Sequence, residues 1–339
     1  MRLPRPALAA VAVLALLVTA CSSGGEGADV GRGVTTTTAP RFFPLTGLMV
    51  DDAVRATRPA VTVKIENSPA SRPQAGLDKA DVVFEAVVEG GQTRFLSVFH
   101  SNDASNVGPV RSVRPGDPAI VHPFGGIVGY SGGIPRFVSA MKATGLRNFD
   151  EDSAGDAFRR RRDKSAPHNL YTSTAGLYTA AGPGGSAPPK FADFLKAGEP
   201  WAPPGAAPAT SVTLRIGSST TAGYTWNAAT GEWMRTTDGR VHSAEGGGQL
   251  STTTVIVQFV TYQPTGEVDT TGAAVSEATL VGSGDAVIFA NGSLLRGRWS
   301  KTAANAMTKF TDAAGAPIAL PAGRTWVELP PVGAALTTG

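Results

Sequence analysis

The chain has 339 residues, of which 42% are apolar, and a formal net charge of +3 at neutral pH. This length and apolar content suffice for two ordinary hydrophobic cores. Sequence-independent binding of nucleic acid needs a strongly basic footprint, so the charge excludes nucleic acid as an expected partner. The 41 glycines and 25 prolines indicate many turns, and they favour an all-β or mixed α/β fold over a helical bundle.

Residues 1–20 have the pattern of a secretory signal peptide. Arg2 and Arg5 precede an unbroken apolar run at positions 7–18, and small residues follow it. A helix of that length spans about 18 Å, which is shorter than the roughly 30 Å hydrocarbon core of a bilayer. We therefore expect cleavage rather than a membrane span. Loss of the two arginines lowers the net charge to about +1.

Cys21 is the single cysteine of the chain and directly follows these small residues. A lone cysteine has no partner for an internal disulfide, and its position favours lipidation, as in bacterial lipoproteins. The alternative is an ordinary secreted protein with a cysteine there by chance. We expect residues 21–43 to be the lipidated cysteine and a flexible tether, because they are rich in Gly, Ser and Thr. The expected location is the extracytoplasmic face of the cell membrane.

Residues 44–182 are predicted to form an α/β (α+β) N-terminal domain with a mixed sheet. The run 82–88 is apolar on both faces, which is typical of a strand covered on both sides. The predicted strands are 61–65, 81–89, 94–99 and 126–130. The predicted helices are 137–144 and 174–181.

Seven prolines at positions 183–208 predict a Pro-rich linker over residues 183–209. Residues 210–331 are then predicted to form a smaller, mainly antiparallel β C-terminal domain. Asp238-Gly239 and Asn291-Gly292 between apolar runs are strong hairpin signals. The predicted strands are 212–216, 223–226, 255–262, 286–289, 294–299 and 325–329.

A candidate site begins at the predicted hairpin around Gly90-Gly91. A two-residue turn there places Glu85, Glu89 and Arg94 on one face of the hairpin. Arg94 then lies between two carboxylates on an otherwise apolar strand. The arrangement is either a structural ion pair or an arginine whose planar fork faces a ligand.

Arg111 and Arg114 lie three residues apart in a loop bounded by glycine and proline. Two guanidinium groups on a stiff loop suit the binding of phosphate or carboxylate. Alternatively they are solvated or paired with Asp103 or Asp117. Arg72 fits the same binding pattern more weakly.

His168 is the candidate for proton transfer, because imidazole titrates near neutral pH. The alternative is a hydrogen-bonded structural histidine. Asn169 follows it and either orients the ring or binds a ligand directly. Glu85 and Glu89 are the carboxylates that could share a catalytic role with it. The four histidines have no metal-ligand spacing, so we expect neither a metal nor a cofactor.

Nine ordered segments of the chain form a recognisable series: 61–67, 71–77, 80–85, 89–94, 108–112, 167–171, 282–284, 297–301 and 323–326. Together they resemble the YerB-like family of bacterial lipoproteins. The resemblance covers the chain from about residue 45 to residue 330 and implies a two-domain lipoprotein whose biochemical role is not established. It brings no catalytic residues to this chain. One departure is Tyr130-Ser131, where a histidine is expected before the paired glycines.

Three functions remain open. The favoured one is an anchored protein that binds an anionic envelope ligand, such as a phosphorylated or carboxylated glycan, in an Arg-rich cleft of the N-terminal domain. The second is an envelope hydrolase or transferase acting on a phosphoester or glycan, with Glu85 or Glu89 and His168 moving the proton. The third is a scaffold that docks other envelope proteins through the second domain.

Overall fold

The computed structural model describes residues 42–196 and 198–339. The predicted signal peptide, Cys21 and most of the predicted tether therefore lie outside the described residues. Phe42 pairs with Met49 in an isolated bridge, and Phe43 is buried. No helix in the described part of the chain is both long enough and apolar enough to cross a membrane.

The first half alternates short strands with short helices. Ser173 caps the helix at 174–181 by accepting a hydrogen bond from the Gly176 amide at 3.0 Å, so the sequence prediction of that helix is confirmed. The α-helices are α1 Ala53–Thr57, α2 Asp117–Val121, α3 Pro135–Lys142 and α4 Thr174–Ala181. The strands are β1 Val61–Glu66, β2 Val82–Val87, β3 Thr93–Phe99, β4 Ile127–Gly129, β5 Arg147–Phe149, β6 Phe158–Arg160 and β7 Leu170–Thr172. Single 3-10 turns lie at Pro69–Ser71, Leu77–Lys79, Glu89–Gly91, His122–Phe124 and Gly155–Ala157.

Strands dominate the second half, as its alternating pattern and its Asp-Gly and Asn-Gly turns predict. The first group is β8 Ala207–Pro208, β9 Ser211–Gly217, β10 Thr220–Asn227, β11 Glu232–Thr237, β12 Arg240–Val241, β13 Ser251–Thr252 and β14 Thr254–Gln258. The second group is β15 Thr261–Val268, β16 Ala274–Thr279, β17 Gly282–Ala290, β18 Ser293–Lys301, β19 Lys309–Thr311, β20 Thr325–Leu329 and β21 Leu336–Thr338.

One eleven-stranded sheet runs through both halves in the order β19-β18-β17-β14-β20-β2-β3-β1-β4-β5, with β8 on β18. Its first-half part is mixed, because β1 pairs antiparallel with β3 and parallel with β4. Its second-half part is mainly antiparallel. These arrangements confirm the predicted fold class.

Strand β20 joins the two halves of this sheet. It pairs in parallel with β2 on one side and in parallel with β14 on the other. All five of its residues are buried. A strand near the end of the sequence therefore provides the neighbour that β2 needs for its backbone hydrogen bonds.

The large sheet has a hydrophobic core on each face. Helices α2 and α3 cover one face, where Phe84, Leu96 and Val327 point. A six-stranded sheet, β12-β11-β10-β9-β21 with β13 on β11, covers the other face, where Phe95 and Trp326 point. The strand side chains alternate between these two cores, as the two-residue period of a strand requires.

Residues 183–209, the predicted linker, pack against the fold. Phe191 and Trp201 are buried. The Phe191 amide donates to the Pro44 carbonyl at 2.9 Å, and Trp201 Nε1 donates to the Ala319 carbonyl at 3.0 Å. The segment thus contacts both halves, and the described residues form one compact unit.

Candidate functional site

Glu66 and Arg94 are charged side chains at the buried end of the β1–β3 pair. They are direct partners in the antiparallel register, so their side chains share one face of the sheet. Glu66 is 5% exposed and Arg94 is 9% exposed. Charged groups this deeply buried are rare unless they are paired or serve a function.

Two loops bring Arg111 and His168 to the same place. The Arg111 amide donates to the Lys64 carbonyl at 2.9 Å, which aligns its loop with the edge of β1. The adjacent Val110 amide donates to the Leu170 carbonyl at 2.7 Å, which joins this loop to β7. His168 precedes β7 by two residues, so these backbone hydrogen bonds bring both side chains to Glu66.

The Glu66 carboxylate holds the His168 ring. His168 Nδ1 lies 2.8 Å from Glu66 Oε2, and Ser68 Oγ donates to Glu66 Oε1 at 2.9 Å. Arg111 Nε lies 3.7 Å from the same Oε1, and Arg111 Nη1 donates to the Pro167 carbonyl at 3.3 Å. Arg111 therefore binds the chain on the N-terminal side of His168 while its charge faces Glu66.

Arg114 is fixed by a chain of buried ion pairs. Its Nε and Nη2 donate to the two oxygens of Glu89 at 2.5 and 2.7 Å, a bidentate geometry. Its amide donates to Asp117 Oδ2 at 2.7 Å, and Lys64 Nζ donates to Asp117 Oδ1 at 2.7 Å. Burial lowers the pKa of Lys64, while the Asp117 charge acts in the opposite direction.

We call Arg94, Arg111 and Arg114 the arginine cluster. Arg94 differs from Arg114 because it has no ion pair with a carboxylate among the described residues. Its one hydrogen bond is from Nη1 to the Ser112 carbonyl at 3.1 Å. Burial, followed by the charges of Arg114 and Arg111, lowers the pKa of Arg94 to about 10. Arg111 Nε is also a buried donor without a hydrogen-bond partner.

The predicted register of the β2–β3 hairpin was wrong by one residue. The turn contains three residues, Glu89–Gly91, and the Val88 amide closes it by donating to the Gln92 carbonyl at 2.8 Å. Glycine suits this turn because Gly90 and Gly91 have φ of +65° and +67°. Arg94 consequently pairs with Ala86, and Glu85 pairs with Phe95. A shift of one residue moves a side chain to the other face, so Glu85 and Arg94 lie on opposite faces.

Glu85 instead belongs to a buried group between the two sheets, which we call the interior network. Arg235 Nη2 donates to Glu85, and Arg235 Nη1 donates to Glu328 Oε1 at 2.7 Å. Both carboxylates are fully buried and are register partners on β2 and β20. Glu85 thus has no access to solvent in this structure. The other members of the network are Asn67, Gln74, Thr93, Tyr224 and His242.

Two other predicted ligand residues have contacts of their own. Arg72 donates to Asn67 Oδ1 at 3.2 Å and to Asp238 Oδ2 at 2.8 Å. Asn169 Oδ1 accepts a hydrogen bond from Arg160 at 3.1 Å. Neither side chain forms a hydrogen bond or ion pair with the arginine cluster in residues 42–196 and 198–339. The structure thus brings together Arg94, Arg111, Arg114, Glu89 and His168 from the predicted set.

Sequence reasoning assigned no role to Glu66 or Lys64 and considered Asp117 only as a partner of Arg111 or Arg114; Asp117 accepts from the Arg114 amide and pairs with Lys64. The sequence does contain a signal for Lys64 and Glu66. They alternate with apolar residues in a strand that is buried along its whole length, and charged residues at such positions indicate a buried polar site. Asp117 opens a short helix, where an acidic residue is unremarkable by pattern alone.

The described part of the chain also contains a groove that is separate from the arginine cluster. A groove of about 420 Å³ opens beside Val87, Val88 and Gly91, and Arg215 is the cation that lines it. Across the described ranges, no group of three or more His, Cys, Asp or Glu residues has metal-binding geometry. The arginine cluster offers guanidinium groups, and the adjacent His168 and Glu66 add an imidazole and a carboxylate.

Comparison with known families gives two matches. The model described as "Protein of unknown function (DUF3048) N-terminal domain" matches residues 45–186. The model described as "Protein of unknown function (DUF3048) C-terminal domain" matches residues 212–327. Together they cover most of the chain, in the order in which the two halves occur.

Comparison with individual proteins agrees with these matches. The chain is 40% identical over 141 residues to "Putative lipoprotein YerB" of Bacillus subtilis strain 168, and the alignment covers 41% of this chain and 42% of that protein. The sequence match thus spans less than half of that relative's length. The structure is also similar to the crystal structure of YerB from Bacillus subtilis, with a TM-score of 0.74 and 24% sequence identity. That alignment covers 88% of this chain and 99% of the YerB chain. At this identity the structural likeness shows a shared fold.

Proposed function

We propose that this chain, which belongs to the DUF3048 family and is similar to YerB of Bacillus subtilis, is a lipoprotein that binds an anionic ligand of the cell envelope. Cys21 carries the lipid and holds the protein on the extracytoplasmic face of the membrane. The arginine cluster binds the ligand, whose charged group is a phosphate or a carboxylate. The name of YerB and the position of Cys21 after a signal-like segment support the anchoring.

One observation carries the binding proposal: Arg94 is nine-tenths buried and has no carboxylate partner among the described residues. A buried charge without compensation destabilises the fold, and proteins retain such groups chiefly at functional sites. Arg111 Nη2 adds a second donor without a hydrogen-bond partner among the described residues, whereas Arg111 Nε is sealed beside the Glu66 carboxylate. Two guanidinium groups with free N–H donors match the oxygens of a phosphate or a carboxylate.

Glu89 and Asp117 support this assignment by satisfying the neighbouring cations. Glu89 neutralises Arg114, and Asp117 neutralises Lys64. The third carboxylate, Glu66, faces Arg111, so one excess positive charge is left between Arg94 and Arg111. An anion there would neutralise it and complete the hydrogen bonding.

We test binding by calorimetry and thermal unfolding of the full chain with orthophosphate, glycerol 3-phosphate and glucuronate. A ligand at 100 times its Kd should raise the free energy of unfolding by about 2.7 kcal/mol. We expect Arg94→Ala to abolish this gain and Arg94→Lys to reduce it, because lysine keeps the charge but loses the planar fork.

Arg298→Ala is the matched control, since Arg298 forms an exposed pair with Asp285 at 2.9 Å on the second half of the sheet. It should bind each ligand as the unmodified chain does. Equal stabilisation of the Arg94→Ala protein and the unmodified chain would overturn the proposal. Circular dichroism of each variant separates a lost ligand site from a lost fold.

A further inference from the structure

His168 and Glu66 have the geometry of a proton-transfer pair. Nδ1 of His168 lies 2.8 Å from a carboxylate that is 5% exposed, while the His168 side chain itself is 27% exposed. An ionised carboxylate only accepts hydrogen bonds, so Nδ1 carries the proton and the lone pair of the neutral ring is on Nε2. Within the described ranges His168 Nε2 has no hydrogen-bond partner. It is not one of the buried polar atoms that lack a partner, so it is accessible to solvent.

The surroundings of Glu66 fix this arrangement. Ser68 Oγ donates to Glu66 Oε1, and Arg111 faces the same oxygen. Glu66 is also the register partner of Arg94 across the β1–β3 pair. One carboxylate therefore orients the imidazole and lies next to both of the guanidinium groups that have free donors. A base and an anion-binding pair are thus adjacent on one face of the sheet.

We propose that the site is hydrolytic as well as binding: His168, oriented by Glu66, activates water for attack on a phosphate ester held by Arg94 and Arg111. This inference rests on the proposed function, because the two arginines must first bind the phosphate group. His168 is the catalytic base and Glu66 is a positioning residue. The guanidinium groups stabilise the charge of the transferring phosphoryl group.

The chemical step balances without a further reactant. The water oxygen forms a bond to phosphorus while one of its protons passes to His168 Nε2. The bond from phosphorus to the leaving oxygen breaks on the opposite side and the leaving group takes the electron pair. The leaving oxygen then gains a proton from solvent, and the imidazolium releases its proton to solvent. Because the leaving oxygen is not protonated while its bond to phosphorus breaks, the rate should fall steeply as the pKa of the leaving alcohol rises.

The test uses the full chain purified in detergent with p-nitrophenyl phosphate and bis(p-nitrophenyl) phosphate. We expect the unmodified chain to release nitrophenolate with a kcat at least about 100-fold above that of His168→Asn, with little change in KM. His122→Asn is the control, since His122 is also half-buried and its ring forms no hydrogen bond within the described residues. Its kcat should equal that of the unmodified chain.

Two further readouts separate catalysis from a structural role. Added imidazole should restore part of the rate to His168→Gly, which a merely structural histidine would not permit. Glu66→Gln should lower kcat by at least about tenfold, since a glutamine can hold the ring in the wrong tautomer. Nitrogen NMR of the histidines should show His168 protonated on Nδ1 in the unmodified chain. Protonation on Nε2 would contradict the assignment of His168 Nε2 as the catalytic base.

The outcomes distinguish this inference from the proposed function. If the unmodified chain and His168→Asn both bind orthophosphate but release nitrophenolate from both esters at equal rates, the hydrolytic inference is overturned and binding stands. If the unmodified chain binds none of the anions tested, the proposed function itself fails. Turnover that disappears in His168→Asn while orthophosphate binding persists supports both.

Discussion

At the scale of single residues, the interior network has one cation between two carboxylates. Arg235 binds both Glu85 and Glu328, and the Tyr224 hydroxyl also donates to Glu328 Oε1. Burial and the adjacent Glu85 carboxylate raise the pKa of Glu328 to about 8. Glu328 Oε2 is buried and has no hydrogen-bond partner. A proton on this oxygen could be donated to the Glu85 carboxylate, which would give Oε2 a partner. The network is therefore neutral when Glu328 is protonated.

This charge state predicts how stability depends on pH. The folded pKa of Glu328 lies above its ordinary value of 4.5, so the folded state binds more protons than the unfolded state between these pH values. The contribution of Glu328 to stability is complete below pH 4.5 and is lost as pH rises through about 8. Glu328→Gln mimics the protonated acid, so its melting temperature should rise relative to the unmodified chain as pH increases from 5 to 9.

Thermal unfolding of both proteins across that range measures the effect. Glu232→Gln, which removes a half-buried carboxylate paired with Arg324 at 3.3 Å, controls for the substitution itself. A difference between Glu328→Gln and the unmodified chain that stays constant with pH would contradict the assignment of the proton to Glu328.

At the scale of elements, Gly126 precedes β4 and lies against the backbone of residue 60. A Cβ at Gly126 would meet the Ala60 carbonyl oxygen at 2.1 Å, whereas a Cβ at Gly125 would meet nothing within 4 Å. Both glycines have positive φ, at +78° and +67°. Gly125→Ala should therefore cost about 1–3 kcal/mol through the backbone alone, because its φ of +67° and ψ of −159° lie in a region essentially restricted to glycine. Gly126→Ala should cost about 1–3 kcal/mol more, because β4 must shift.

Chemical denaturation of the two variants tests the close approach, since both glycines have positive φ and only Gly126 lies against a neighbouring backbone. Equal losses of stability in both would show that β4 tolerates the shift. A larger loss in Gly125→Ala would contradict the packing described at residue 60.

The elements could largely be predicted from the sequence, because their signals are local. Helix 174–181 and strand 325–329 match the structure in both bounds. The predicted strand 255–262 is instead the end of β14 and the start of β15. There the chain leaves the large sheet at residues 259 and 260, and an apolar run does not reveal such a bend.

The candidate site could be predicted only in part. Arg111, Arg114 and His168 stood out because prolines and glycines surround them. The role of Glu66 depends on the pairing of β1 with β3 and on the loop that bears His168, and such contacts between distant residues leave no local pattern. The hairpin error had a similar origin, since Glu89-Gly90-Gly91 permits turns of two or three residues and only the packing of the strands selects one.

At the scale of the whole molecule, the two halves share a sheet through β20. The predicted division into residues 44–182 and 210–331 remains a prediction about sequence organisation, but the shared sheet predicts one cooperative unfolding event. Val327 is fully buried on β20, and Val327→Ala should lower the free energy of unfolding by about 2 kcal/mol. Calorimetry should show a single transition that moves as a whole, with equal calorimetric and van't Hoff enthalpies.

Val332→Ala is the control for that change, because Val332 is 68% exposed just beyond β20. Val332→Ala should leave the midpoint temperature of the unfolding transition unchanged. Two resolved transitions, only one of which moves in Val327→Ala, would contradict unfolding as one unit.

The position of β20 also has a consequence for the order of events during synthesis. Strand β2 cannot complete its hydrogen bonds until residues 325–329 are available, and these lie near the carboxyl end of the chain. The first half of the chain alone therefore cannot complete its part of the central sheet, because β2 lacks one neighbour until β20 has been synthesised. Stable folding of residues 82–87 is thereby tied to the synthesis of a strand more than 200 residues later in the chain.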